Sequence, residues 1–304
     1  MTVLVTGGTG FVGKALVNQF ILQGIVPYVV SRRPTAGLVG SFVTRPAEGE
    51  LFPTELIGKV SKVVNLAGES IAGRRWNKTV REEILHSRVE MTRCIIASIR
   101  RNHDQGLPYP KVLVNASAIG YYGTHPSRTF TEESENGDDF LADVCQRWEG
   151  EVLQAQSLGV RVIRLRFGHI LEADGGMLPR VAFPFHFGMG GYLGDGQQWM
   201  SWIHRTELIN IILQALEHTN WQGVYNVTSP HAVTMKEFME VLGKVLGSKS
   251  RVRIPSSIAT LLFGEMAQEV LLKGQKVFPK RLLEQGYVFQ YPHLAETFID
   301  IYRK

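Results

Sequence analysis

Cysteine is scarce in this chain: only Cys94 and Cys145 occur among 304 residues, far apart and inside helical patterns. That excludes a disulfide framework and a Cys-rich zinc site, and it fits a reducing compartment. No apolar run is long enough to cross a bilayer, and there is no low-complexity block. The nine histidines form no H-E-x-x-H pattern, so no metal site is expected. A long basic run is also missing. The formal charge of +5 is spread over pairs such as Arg32-Arg33, Arg74-Arg75 and Arg100-Arg101, without a zinc finger, KH loop or RNP aromatic motif. Solvated faces or a small anionic ligand account for them better than nucleic acid does. A first strand beginning at Thr2 leaves no room for a cleaved leader, so a cytoplasmic protein is expected. Its partner should be a small-molecule substrate, with neither nucleic acid nor membrane; the oligomeric state stays open.

What is present is an alternation of strands and helices without internal repeats. Strands are expected at residues 2 to 6, 26 to 31, 62 to 66, 111 to 117 and 160 to 166, and helices at 13 to 24, about 77 to 101 and about 138 to 157. In the long helix Val80, Ile84, Leu85, Val89 and Ile95 recur near helical spacing. Repeated βα winding predicts an α/β fold, a doubly wound parallel sheet of the Rossmann type. Past residue 168 the pattern loosens into a Gly/Pro-rich stretch. The expected division is a dinucleotide-binding domain at 1–168 and 203–227, and a smaller substrate-side domain at 169–202 and 228–304.

The stretch VLVTGGTGFVGKAL, residues 3 to 16, runs from strand through glycines into helix. Gly7, Gly8, Gly10 and Gly13 provide the tight turn, the close backbone approach and the helix N-terminus that a pyrophosphate needs. Gly7, Thr9, Gly10, Phe11, Val12 and Gly13 are therefore the expected cradle. At the end of the second strand, where a carboxylate would hold the ribose of NAD, the chain has Ser31-Arg32-Arg33. A hydroxyl and two guanidiniums suit a 2′-phosphate in charge and geometry, so NADP(H) is the expected cofactor. Two solvated arginines at a strand end are the plain alternative.

With TGGTGFVG, NLAG at 65–68, SAIGYYG at 117–123 and GDGQQWMSWIH at 194–204 in this order, the chain resembles an extended short-chain dehydrogenase/reductase of the NAD(P)-dependent epimerase/dehydratase family. GRRWN at 73–77, SRVEMT at 87–92 and the tail GEMAQEVLLKGQKVFPKRLLEQGYVFQYP resemble its branch called the epimerase family protein, or SDR39U1-like, group. The resemblance implies that Leu66, Ala67 and Gly68 lie along the cofactor, that Glu83 and Arg88 face the nucleotide, and that Phe167 and His169 cover the nicotinamide. An exposed charge pair is the bland reading of Glu83 and Arg88. A packed imidazole is that of His169.

One departure from the family is decisive. Active relatives carry Tyr-x-x-x-Lys on the helix that here reads DFLADVCQRWEGE; counting back from Trp148-Glu149, the two positions fall on Leu141 and Cys145. Neither moves a proton as that pair does. The family's serine position falls on Ala118, with Ser117 one residue earlier. Ser117, Tyr121 and Tyr122 are the remaining hydroxyls near the expected nicotinamide end and hence the candidate catalytic residues. Tyrosines that merely pack over a turn are the alternative. Downstream, Gln197, Gln198, Trp199, Ser201, Trp202 and His204 suit a small-molecule pocket or a packed loop. Two functions follow: an atypical NADP(H)-dependent oxidoreductase or epimerase acting on a small polar, sugar-nucleotide-like substrate, or a non-enzymatic NADP(H)-binding sensor.

Overall fold

The computed structural model describes residues 1–31, 37–72, 74–248, 252–263 and 272–303. β1 (Val3–Thr6) is buried along its length, as a central strand covered on both faces must be. It runs through the glycine turn into α1 (Phe11–Leu22), which buries Leu16, Val17 and Phe20. β2 (Tyr28–Ser31) and β3 (Ser41–Thr44) extend the sheet outward; β3 was not among the expected strands. α2 (Thr54–Lys59) leads to β4 (Lys62–Asn65) on the other side of β1. α3 (Lys78–Asp104) follows, its first turn capped by the Asn77 side chain, which accepts from Val80 N at 2.9 Å. β5 (Val112–Ala118), the short β6 (Thr129–Phe130), α4 (Phe140–Leu153) and β7 (Arg161–Phe167) complete this half. The helix expected to reach 157 ends as α4 at Leu153 and continues as a 3₁₀ turn over Gln154–Leu158.

The next stretch contains β8 (His169–Leu171), α5 (Leu178–Ala182), β9 (Gly191–Leu193), β10 (Trp199–Met200), β11 (Trp202–His204) and α6 (Arg205–Glu217). β12 (Gly223–Val227) returns to the large sheet. β13 (Val233–Thr234), α7 (Met235–Val245), β14 (Val252–Ile254), α8 (Ser256–Phe263), β15 (Lys276–Val277), α9 (Lys280–Glu284) and α10 (Leu294–Tyr302) follow.

Among the described residues the main sheet has seven strands in the order β12-β7-β5-β4-β1-β2-β3, all parallel. It is a Rossmann-type doubly wound sheet. α1 and α6 bury Phe20, Leu208 and Ile212 on one face. α2 and α3 bury Ile57, Ile95 and Ile99 on the other. A separate core holds Trp202, Phe238, Leu242 and Phe298, beside the sheet rather than on it. At the outer strand β12 side chains take the place of a further ladder. Glu132 accepts from Asn226 N at 2.9 Å, while Arg281 donates to Val224 O and Gln222 O at 2.7 and 2.9 Å.

The winding reverses between β1 and β4. In such sheets a crevice opens at the C-terminal strand ends where the order reverses, and that is where the main cavity lies.

Candidate active site

The cavity encloses about 560 Å³ and is walled by residues following β1, β4, β5 and β7. Its first wall is the glycine turn. Gly7 has φ +67°, and a Cβ there would lie 2.5 Å from Leu66 O. A Cβ on Gly13 would lie 2.1 Å from Gly7 O. Only hydrogen at both positions lets the turn pack against the end of β4 and α1 pack against the turn. α1 begins at Gly10 with no side-chain cap and no acidic residue in its first turn, so its amides are free for an anion. Gly7, Gly10, Phe11, Val12 and Gly13 line the cavity; Thr9, in the same turn, does not. The cradle thus fits a dinucleotide.

Leu66, Ala67 and Gly68 form the wall after β4. Beneath them Asn65 Oδ1 accepts from Thr6 at 2.5 Å, and its Nδ2 donates to Thr92 and Asn115 at 2.9 and 2.6 Å. This satisfied layer ties together β1, β4, β5 and α3. Arg88 of α3 reaches the cavity and donates to Ile84 O and Glu69 O at 2.8 and 3.0 Å. Its guanidinium lies against Gly68, where a Cβ would come within 3.0 Å of Cζ. Burial pulls its pKa down. Glu83, five residues earlier, is absent from the lining and pairs with Arg74 at the surface. Ser31 ends β2 outside the lining, while Arg32 and Arg33 lie outside the described residues.

Across the cavity stand Ser117 and Ala118 of β5, Leu141, Cys145 and Trp148 of α4, and Phe167, Gly168 and His169 at the end of β7. Leu141 and Cys145, the positions at which the resemblance places the family's tyrosine and lysine, thus both face it. Burial, reinforced by the charge of Glu149, pushes the Cys145 thiol up to about 11, so it is neutral at physiological pH. Burial pushes His169 down to about 4, so that imidazole is neutral as well.

The three candidate hydroxyls are treated differently. Ser117 lines the cavity and donates to Glu149 Oε1 at 2.7 Å. Tyr122 is turned inward by the 3₁₀ turn at Ile119–Tyr122: its hydroxyl accepts from Arg166 Nη1 at 2.8 Å and donates to Asn226 at 2.6 Å. Burial raises its pKa to about 12. Tyr121 places its ring 3.3 Å from the Arg166 guanidinium. Neither tyrosine is in the cavity wall.

Beneath Ser117 lies a cluster that sequence reasoning missed. Arg166 grips Glu149 with two hydrogen bonds, at 2.7 and 2.8 Å, and Arg164 adds a third at 2.9 Å. The available signal was Arg164 and Arg166 two residues apart, hence on one face of a strand buried in the sheet. Gln275 is a second omission. It lines the cavity from just before β15 and donates to Ile119 O at 3.1 Å.

The GDGQQWMSWIH stretch is divided. Gln198 borders a separate cavity with Asp195 and Arg253. Ser201 donates to Gln275 O at 2.9 Å, Trp202 is fully buried, and His204 caps α6 through Nδ1 and stacks on Tyr291. None of these residues lines the main cavity. Among the described residues no cluster of metal-ligating side chains is present, and no helix is long and apolar enough to cross a membrane.

Comparison with known proteins agrees with this geometry. The family model of the NAD dependent epimerase/dehydratase family matches residues 3–228, and a model described as a domain of unknown function (DUF1731) matches 254–301. The chain is 38% identical to the epimerase family protein SDR39U1 homolog, chloroplastic, of Arabidopsis thaliana, over 98% of this chain and 85% of that one. It is 35% identical to the epimerase family protein YfhF of Bacillus subtilis, over 97% and 95%. The crystal structure of human epimerase family protein SDR39U1 (isoform2) with NADPH superposes with a TM-score of 0.87 at 32% identity, covering 100% of both chains.

Proposed function

The chain belongs to the NAD dependent epimerase/dehydratase family, and from that premise we propose that it is an NADP(H)-dependent oxidoreductase or epimerase whose proton-transfer group is Ser117. The substrate is a small polar molecule of sugar-nucleotide-like character, and the protein works in the cytoplasm. One observation carries the reading: the glycine cradle, Arg88 and a buried serine hydroxyl converge on a single cavity at the reversal of the sheet. The human relative's NADPH and the Ser31-Arg32-Arg33 run support NADP(H) over NAD(H).

The cofactor supplies or accepts hydride when bound; the chain supplies everything else. Gly7, Gly10, Gly13 and the α1 amides hold the pyrophosphate. Arg88 offers positive charge from the α3 side. Phe167 and His169 exclude water from the far end. Ser117 already directs its proton to Glu149, so it can accept a proton from a substrate hydroxyl while passing its own to that carboxylate, a transfer that weakens the carboxylate's pairs with Arg166 and Arg164 for as long as the proton stays there. Arg166 and Arg164 hold Glu149 in place.

The second reading, a non-enzymatic NADP(H)-binding sensor, is favoured by the cavity-facing Leu141 and the neutral Cys145. Titration with NADPH and NADH, followed by a screen of sugar nucleotides, sugars and small carbonyl compounds for NADPH-dependent turnover, separates the readings. The enzyme reading expects NADPH to bind more tightly than NADH by about 2 kcal/mol and at least one compound to turn over. Tight NADPH binding without turnover across the panel selects the sensor.

A further inference from the structure

β2 and β3 end side by side at the edge of the sheet that carries the glycine turn. Ser31 is in register with Thr44, and the next residue, Arg45, donates its backbone amide to Ser31 O at 3.1 Å. Pro46 follows, which restricts Arg45 to extended backbone and fixes where its side chain departs. The side chain is half-buried, yet among the described residues it makes no hydrogen bond or ion pair. The acids of its own loop are turned elsewhere. Glu50 accepts from Ala47 N at 3.0 Å, and Glu48 lies 3.8 Å from His86. No acidic side chain among the described residues therefore pairs with this guanidinium, which leaves its charge available to an anionic ligand at the strand end.

We propose that Arg45 is a specificity-determining residue for the adenosine 2′-phosphate of NADP(H), contributed by a strand separate from the Ser31-Arg32-Arg33 run. The inference rests on the NADP(H) reading. Neighbouring strands are about 4.8 Å apart, a gap that an arginine side chain spans. Arg45 therefore stands on the outer flank of the strand end where the 2′ position is read, and its planar fork matches phosphate.

Calorimetric titration of the full-length protein with NADPH, NADH, 2′,5′-ADP and 5′-ADP tests this. Arg45→Gln is expected to weaken NADPH and 2′,5′-ADP by roughly tenfold or more, to leave NADH and 5′-ADP within about twofold, and to unfold at the wild-type temperature. Arg45→Lys should recover part of the loss, since it restores charge without the fork. Equal effects on NADPH and NADH, or none on either, in a protein whose wild type still prefers NADPH would overturn the role of Arg45 alone. A wild type with no preference would overturn the NADP(H) reading itself, and the inference with it.

Discussion

Glu149 and Arg166 are joined by two parallel hydrogen bonds, at 2.7 and 2.8 Å, with both side chains almost wholly buried beneath Ser117. Breaking such a pair from one side leaves a buried charge without compensation, which costs far more than the pair itself is worth. Glu149→Gln leaves Arg166 and Arg164 facing a neutral amide and is expected to cost about 3–5 kcal/mol in urea unfolding. Arg147→Ala is the contrast. It removes an exposed ion pair with Asp143 on the same helix and should cost less than about 1 kcal/mol.

Ser117, the proposed proton-transfer group, and Tyr122, whose hydroxyl is held between Arg166 and Asn226, should respond differently to loss of the hydroxyl. Ser117→Ala is expected to lower kcat by about a hundredfold while NADPH affinity stays unchanged, because a proton-transfer group acts in the transition state. Tyr122→Phe strips a partner from both Arg166 and Asn226 and should cost about 1–3 kcal/mol of stability, with turnover per folded molecule retained. Turnover unchanged in Ser117→Ala would remove that residue from the chemistry.

The central half of the fold was legible because its signals are local. An apolar strand, a glycine turn and an amphipathic helix each lie within a dozen residues, and β1 and α1 formed where that pattern sits. β3 escaped because a four-residue edge strand with half-covered side chains has neither a buried run nor clear alternation. The cavity residues that follow β4, β5 and β7 were placed by resemblance, since strand ends converge only after the sheet has formed. Tyr121 and Tyr122 show the limit. Both adjoin the cavity in sequence, but a single 3₁₀ turn decides which hydroxyls reach it. The partnership of Glu149 with Arg166 joins a helix to a strand and leaves no periodic trace.

Gly13 tests the cradle itself. An added methyl group would sit 2.1 Å from Gly7 O, a backbone atom that cannot swing aside as a flexible side chain can. Gly13→Ala should therefore open the turn, costing about 1–3 kcal/mol of stability and abolishing the rise in melting temperature caused by NADPH. Gly150→Ala is the matched control. Nothing lies within 4 Å of a Cβ at this position inside α4, so it should stabilise by up to about 1 kcal/mol and leave NADPH binding intact.

Cys145 reports its surroundings through its reactivity with iodoacetamide, measured in a Cys94→Ser background. The thiolate is the reacting form, and a thiol raised to about 11 holds very little of it at neutral pH. Alkylation at pH 7.5 should be roughly a hundredfold slower than for an ordinary thiol, and should climb with pH as the value of about 11 is approached. NADPH should slow it further by covering the wall that Cys145 shares with Ser117 and Trp148. A rate that levels off near pH 8.5 would show that the thiol is not held in an apolar wall.

His169 gives the cavity a signature in the pH dependence of stability. Burial holds its folded pKa near 4, whereas an unfolded histidine titrates near 6.5. Between those values the unfolded chain binds the extra proton and the folded one refuses it. Stability is therefore untouched by this group above about pH 6.5 and falls as the pH drops from there towards 4. In the cofactor-free protein the imidazole should remove about 2 kcal/mol between pH 7 and pH 5. His169→Gln keeps a polar side chain but cannot titrate, so urea unfolding of this variant should lack that part of the decline. The carboxylates, which also titrate as the pH falls, are common to both proteins and cancel in the difference. Parallel pH profiles for wild type and variant would mean that the imidazole is solvated, and the water-excluding role proposed for it would then fall.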